Sequence, residues 1–131
     1  MTKYERTTLP QVRPADKMCG TTPGLRSGPF VYISGVVGRG PDGTLVEGGA
    51  GPQARQALSN ILAALDKLGA AAHDVVRTRV YLVSMDDVAD VAHEHKRVFG
   101  EHLPSCGAFL HVAGLYGDAR VEIECDAVVL E

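Results

Sequence analysis

Tryptophan is absent from this 131-residue chain and aromatic residues make up only 5% of it, too few for a surface that stacks nucleic-acid bases. A strong excess of either charge is also lacking. Thirteen Lys and Arg against 16 Asp and Glu leave a net charge of −3, so neither a nucleic acid nor an anionic membrane is an expected partner. The three cysteines, Cys19, Cys106 and Cys125, are odd in number and contain no Cys-x-x-Cys pair. They argue against a disulfide framework and fit reduced thiols. No apolar run reaches the length of a bilayer span. The start, Met1-Thr2-Lys3-Tyr4-Glu5-Arg6, has no signal-peptide-like apolar stretch, so a cytoplasmic location is expected.

What is present is an ordinary globular composition, 45% hydrophobic and 22% charged. The length suits one domain over residues 1–131, long enough to bury roughly two-thirds of its unfolded surface without metal or disulfide staples. Residues 1–29 are broken by Pro10, Pro14, Gly20, Pro23, Gly24, Gly28 and Pro29, which predicts a short strand over 4–7 and then an irregular segment. Residues 30–37, Phe-Val-Tyr-Ile-Ser-Gly-Val-Val, are β-branched and aromatic, the composition of a strand.

Ala54, Leu58, Ile61, Leu62, Leu65 and Leu68 recur at helical spacing, with Pro52 suited to the first helical position and Gly69 to a left-handed cap. Residues 74–83 alternate with period two, placing Val76, Thr78, Val80 and Leu82 on one face. A second helix starts at Ser84 or Asp86 and ends at Gly100, and strands follow over 106–112 and 120–130. This order predicts an α+β fold, a single mixed sheet with two helices on one face. The sheet's second face is then left for self-association, with closed rotational symmetry the usual form.

Gly38-Arg39-Gly40-Pro41-Asp42-Gly43 spells Gly-x-Gly-x-x-Gly after a strand. A dinucleotide site needs a helix to open there, whereas Pro-Asp-Gly is turn chemistry and Thr44-Leu45-Val46 resumes extended structure. His93-Glu94-His95 places two rings on different helix faces and lacks metal-ligand spacing, so neither a metal nor a cofactor is expected.

Five stretches carry more than fold information. They are Val31-Tyr32-Ile33-Ser34-Gly35; Gln56-Ala57-Leu58-Ser59-Asn60-Ile61; residues 74–82; Phe99 ahead of Leu103-Pro104-Ser105-Cys106-Gly107-Ala108; and Val121-Glu122-Ile123-Glu124. In this order and spacing, across most of the chain, they resemble the RidA (YjgF/YER057c/UK114) family. The resemblance implies a chorismate-mutase-like fold and a homotrimer with three intersubunit clefts. It also implies cofactor-free chemistry in which water adds to an imine or enamine and ammonia leaves. In members that deaminate, an arginine after Pro-x holds the substrate carboxylate. A backbone carbonyl two residues later and the first glutamate of the final strand position the water. Those roles fall on Cys106, Ala108 and Glu122, with Ser34 and Gly35 lining the cleft. The arginine is therefore replaced by Cys106, an asparagine of the second helix by Ala92, and one residue is inserted between Cys106 and Val112.

Each candidate has a plain structural alternative. Glu122 shares a strand face with Glu124 and Asp126, which reads either as a solvated acidic stripe or as a cleft acid acting on water. Cys106 is by default a structural thiol; as a nucleophile it needs a partner such as His95, His102 or His111. Arg39, with Arg26 and Arg120 behind it, could replace the missing carboxylate anchor by bidentate pairing. The leading expectation is a trimeric deaminase of a small imine or enamine with an atypical substrate, because Cys106 replaces the arginine: one without an α-carboxylate or one gripped by Arg39, with 2-aminomuconate-type substrates open. The alternatives are a catalytically silent metabolite-binding trimer and a thiol-dependent enzyme using Cys106. The names ribonuclease and translation inhibitor, used for some family members, find no support in the acidic charge.

Overall fold

In the computed structural model, residues 5–100 and 104–130 are described. Tyr4, His102 and Leu103, which figure in the sequence expectations, lie outside them. The elements are β1 (Arg6–Thr8), α1 (Pro14–Cys19), β2 (Gly24–Ser27), β3 (Phe30–Val36), α2 (Ala50–Lys67), β4 (Val75–Leu82), α3 (Val88–Phe99), β5 (Cys106–His111) and β6 (Val121–Val128). Six strands form one mixed sheet in the order β1-β2-β3-β6-β4-β5. Only the β4–β5 pair is parallel.

The core lies between one sheet face and the helices α2 and α3. Val31 and Ile33 of β3, Val80 and Leu82 of β4, and Val121, Ile123, Cys125 and Ala127 of β6 point into it. From α2 come Ala54, Ala57, Leu58, Ile61 and Leu65. Burying a leucine or isoleucine side chain contributes about 1.5–3 kcal/mol, so this stripe, more than intrinsic propensity, fixes α2 on the sheet. Gly69 ends the helix with φ of 77°. Its N–H donates to the Asp66 carbonyl and that of Ala70 to Leu65, the paired bonds of a Schellman cap. Arg26 adds a bond from its guanidinium to the Leu68 carbonyl.

Several local expectations need correction. The irregular segment before residue 30 contains α1, opened by Pro14 at its first turn, and β2, which pairs with both β1 and β3. Helix α2 starts two residues ahead of Pro52, at Ala50; the proline still sits where backbone N–H groups have no helical partner. Residues 44–46 form no strand, only one bridge between Arg39 and Leu45. In β4, Val75 and not Val76 faces the core. Two steps from Val75 to Arg77 are matched by one from Ala127 to Asp126, and this bulge turns Val76 outward, 46% exposed.

The opposite sheet face is open in the single chain and carries Phe30 and Tyr32, 47% and 44% exposed. No helix among the described residues is long and apolar enough to cross a membrane.

Candidate active site

A second bulge shapes the open face. From Ile33 to Val36 β3 takes three steps while its partner β6 takes two, from Cys125 to Ile123. The extra residue lies in the Ser34–Gly35 pair, the position the resemblance assigns to the cleft. Bulges re-aim side chains and backbone groups near functional sites. Ser34 is held by its N–H to the Pro23 carbonyl, 3.0 Å, and by its hydroxyl to the Thr22 carbonyl, 2.6 Å.

Gly35 brings Glu122 into this bulge. A β-carbon at Gly35 would stand 2.7 Å from both the Cδ and the Oε2 of Glu122, so the carboxylate rests where any other residue would place its side chain. Glu122, Glu124 and Asp126 are partly buried along the same face of β6. Glu124 accepts a hydrogen bond from the Tyr81 hydroxyl, and Asp126 lies 3.5 Å from the Arg79 guanidinium. Among the described residues the Glu122 carboxylate has no hydrogen bond or ion pair. Burial pushes its carboxyl above the usual range, the neighbouring Glu124 charge adds to that, and Arg13 opposes it.

Arg13, which sequence reasoning did not single out, also reaches this bulge. It precedes α1 and donates from Nη1 to the Gly35 carbonyl, 2.9 Å. Its Nε and Nη2 donate to the two oxygens of Asp16, 2.8 and 2.7 Å. Asp16 is fully buried and also accepts from the Thr21 hydroxyl. The Arg13 bonds hold its carboxyl below the usual range against the effect of burial, and Thr21 assists. The only sequence signal was Arg-x-x-Asp spanning a proline that can open a helix.

The other candidates are placed apart from this cluster. Arg39 donates to Gly43 in its own turn and abuts Gly117. Arg26 caps α2 and Arg120 pairs with Asp87, 3.0 Å. Cys106 and Ala108 lie exposed on edge strand β5. Cys106 is in register with Arg77, itself opposite Asp126, four residues from Glu122. Strand spacing and rise put Cys106 roughly 16 Å from Glu122 in the same chain.

His95 is half-buried at the edge of the core: its Nε2 is 2.8 Å from the Thr78 hydroxyl and its ring packs on Phe99 and Phe109. Burial pushes its pKa down. The Gly-x-Gly-x-x-Gly segment closes as a turn, with Asp42 accepting from the N–H and hydroxyl of Thr44. Among the described residues no cluster of three or more His, Cys, Asp or Glu could hold a metal ion.

The family model described as Endoribonuclease L-PSP matches residues 20–129, and a solved member of the YjgF/YER057c/UK114 family from Mycobacterium tuberculosis superposes with a TM-score of 0.83. The chain belongs to the RidA (YjgF/YER057c/UK114) family. That mycobacterial RidA-family structure is 32% identical, and the match covers 95% of this chain and 100% of the other. A mouse protein named 2-iminobutanoate/2-iminopropanoate deaminase is 42% identical over 99 residues, 75% of this chain and 73% of that protein. A RutC family protein of Pyrococcus horikoshii is 36% identical over 104 residues, 79% of this chain and 82% of its own length. The RidA match reaches Ser34, Gly35, Cys106, Ala108 and Glu122, whereas Arg13 and Asp16 precede the residues matched by the family model.

Proposed function

We infer that this protein is a hydrolytic deaminase of small reactive imines or enamines, working in a reducing cytoplasm as a homotrimer. The observation that carries this reading is Glu122: partly buried, held above the usual carboxylate range, unpaired among the described residues, and seated on the bare Gly35. A carboxyl raised in this way holds and returns a proton more readily than an ion-paired one. The name of the mouse relative supports 2-imino acids of three or four carbons as the substrate class.

The chemistry is redox-neutral. Ionised Glu122 takes a proton from water as the water oxygen bonds to the C=N carbon, and the π electrons move to nitrogen, which receives that proton. The carbinolamine then returns its hydroxyl proton through Glu122 to nitrogen. The C–N bond breaks, ammonia leaves and a carbonyl compound is the product.

The separation of the expected site residues supports a site shared between copies of the chain. Ser34, Gly35 and Glu122 gather on one chain, while Cys106 and Ala108 sit on its far sheet edge. A second copy's β5 edge laid against the first copy's open face would complete the cleft and bury Phe30 and Tyr32. Ala108 would then offer its carbonyl to the attacking water, across from Glu122.

The test is ammonia release from 2-iminobutanoate generated in situ, with wild type and Glu122→Gln. Acceleration by the wild type, lost in a variant that keeps a mass three times that of the chain, is the expected result. No acceleration by the wild type on 2-imino acids, aminomuconate-type substrates or neutral imines would favour a silent metabolite-binding trimer.

A further inference from the structure

We propose that Arg13 is the residue that grips the carboxylate of the substrate, taking the part that Cys106 cannot. The inference rests on the deaminase reading for the identity of its substrate. The geometry behind it is local to one chain. Gly35 meets Glu122 at its α-carbon and Arg13 at its carbonyl, so the cation and the acid flank a single residue of the bulge. Arg13 is also the cation whose charge acts on the Glu122 carboxyl.

The guanidinium is built for this use. Three of its five N–H donors are occupied among the described residues, one from each nitrogen. The Nε–Nη2 edge is the one Asp16 holds, leaving donors on Nη1 and Nη2 for a second carboxylate. The side chain is 34% exposed, while that of its partner Asp16 is 0% exposed. A buried aspartate that fixes the fork in one orientation removes much of the entropy an arginine otherwise loses on gripping a ligand. Asp16 is thus a positioning residue, acting through Arg13.

Of the other arginines, Arg77 stands exposed on β4 opposite Asp126, about 14 Å from Glu122 by strand spacing and rise, and the following are engaged. Arg79 lies between Asp126 and Glu124; Arg26, Arg39 and Arg120 serve a helix cap, a turn and Asp87. A 2-imino acid held by Arg13 would lay its C=N carbon over the Ser34–Gly35 bulge, one bond from the anchored carboxylate carbon and within reach of Glu122. The preference is then for substrates with a carboxylate adjacent to the imine.

The experiment compares wild type, Arg13→Gln, Arg13→Lys and, as a charge control on the exposed side of α1, Lys17→Gln. Each is assayed on 2-iminobutanoate and on a neutral imine made by an amine oxidase. The product 2-oxobutanoate serves as a non-reacting probe of binding. Arg13→Gln is expected to lower the ratio of kcat/KM for the acid over the neutral imine by about tenfold or more, mainly through KM. It should weaken 2-oxobutanoate binding to a similar extent, while Arg13→Lys recovers part of both and Lys17→Gln matches wild type. In the wild type, 2-oxobutanoate should shift the NMR signal of the Arg13 Nε–H, a readout that survives poor folding of the variants.

An unmoved signal, or equal 2-oxobutanoate affinity in wild type and Arg13→Gln, would overturn the proposal. Turnover of neutral imines without 2-oxobutanoate binding would overturn the anchor and leave the deaminase standing. Binding of 2-oxobutanoate through Arg13 with no turnover of any imine would do the reverse.

Discussion

The carboxylate of Glu122 occupies the space that a side chain at Gly35 would fill, with 2.7 Å between its Oε2 and an idealised β-carbon. Gly35 has no left-handed φ, so backbone strain does not demand glycine there; the close approach of Glu122 does. Gly35→Ala should therefore fold, because the clashing group is the end of a flexible side chain, and should displace that carboxylate. The expected loss in kcat/KM is about tenfold to a hundredfold, since misplacing a reacting group by an ångström can cost about a hundredfold. The stability change should stay below about 1 kcal/mol, checked by a thermal melt.

Glu122 sets a pH dependence of known sign. Its folded-state pKa is raised, chiefly by burial, so the ionised form that accepts the water proton is populated only above the usual glutamate range. The acid limb of kcat/KM should lie above that range, and Arg13→Gln, by removing a charge that favours the ionised form, should move it higher still.

The same shift predicts a stability gain on mutation. The native state holds the Glu122 proton more tightly than the unfolded chain does. Stability is therefore lost as pH rises from the unfolded pKa through the folded one. Glu122→Gln removes the ionisation, so it should melt at or above wild type at neutral pH, with the difference closing in acid.

Asp16 and Glu94 run the other way. Their carboxyls are lowered mainly by hydrogen bonds from Arg13 and Arg55 respectively. Each contributes stability that is present above the ordinary carboxylate range and lost as pH falls through the folded pKa. Asp16→Asn, which keeps the shape but not the charge, should destabilise by about 1–3 kcal/mol at neutral pH. The gap should narrow when melts are repeated toward pH 3.

Thiol labelling separates Cys106 from a catalytic nucleophile. Cys19 and Cys106 are exposed and Cys125 is buried, with burial pushing the Cys125 thiol up to about 12. Iodoacetamide should modify Cys106 no faster than Cys19 and spare Cys125 in the native protein. Labelling of Cys106 far ahead of Cys19 would restore the thiol-enzyme reading.

The sheet and its two long helices were legible because each is written in local pattern or in a short motif. Leu58, Ile61 and Leu65 announce α2 by spacing, and the Val-Tyr-Ile-Ser-Gly and Val-Glu-Ile-Glu stretches mark β3 and β6. The bulge at Val75–Val76 was not legible, because it is defined by register against Ala127 and Asp126 on a strand near the other end of the chain. Strand β2 is four residues of Gly-Leu-Arg-Ser, with little strand propensity of its own, and it forms because β1 and β3 offer edges on both sides. Arg13 escaped for a related reason: its partner Gly35 is 22 residues away, inside a stretch where prolines and glycines hide any period. The turn arginine Arg39 looked better placed in sequence, yet its donors serve its own turn.

The most direct measurement is the partition of 2-iminobutanoate between hydrolysis and trapping. An amino-acid oxidase generates the imine, semicarbazide traps whatever survives, and the semicarbazone is followed with wild type or Glu122→Gln at equal concentration. A sharp fall in semicarbazone with wild type, absent with Glu122→Gln although that variant melts no lower, is the predicted result. An equal fall with both, or none with either, would contradict the claim that Glu122 on Gly35 adds water to the imine.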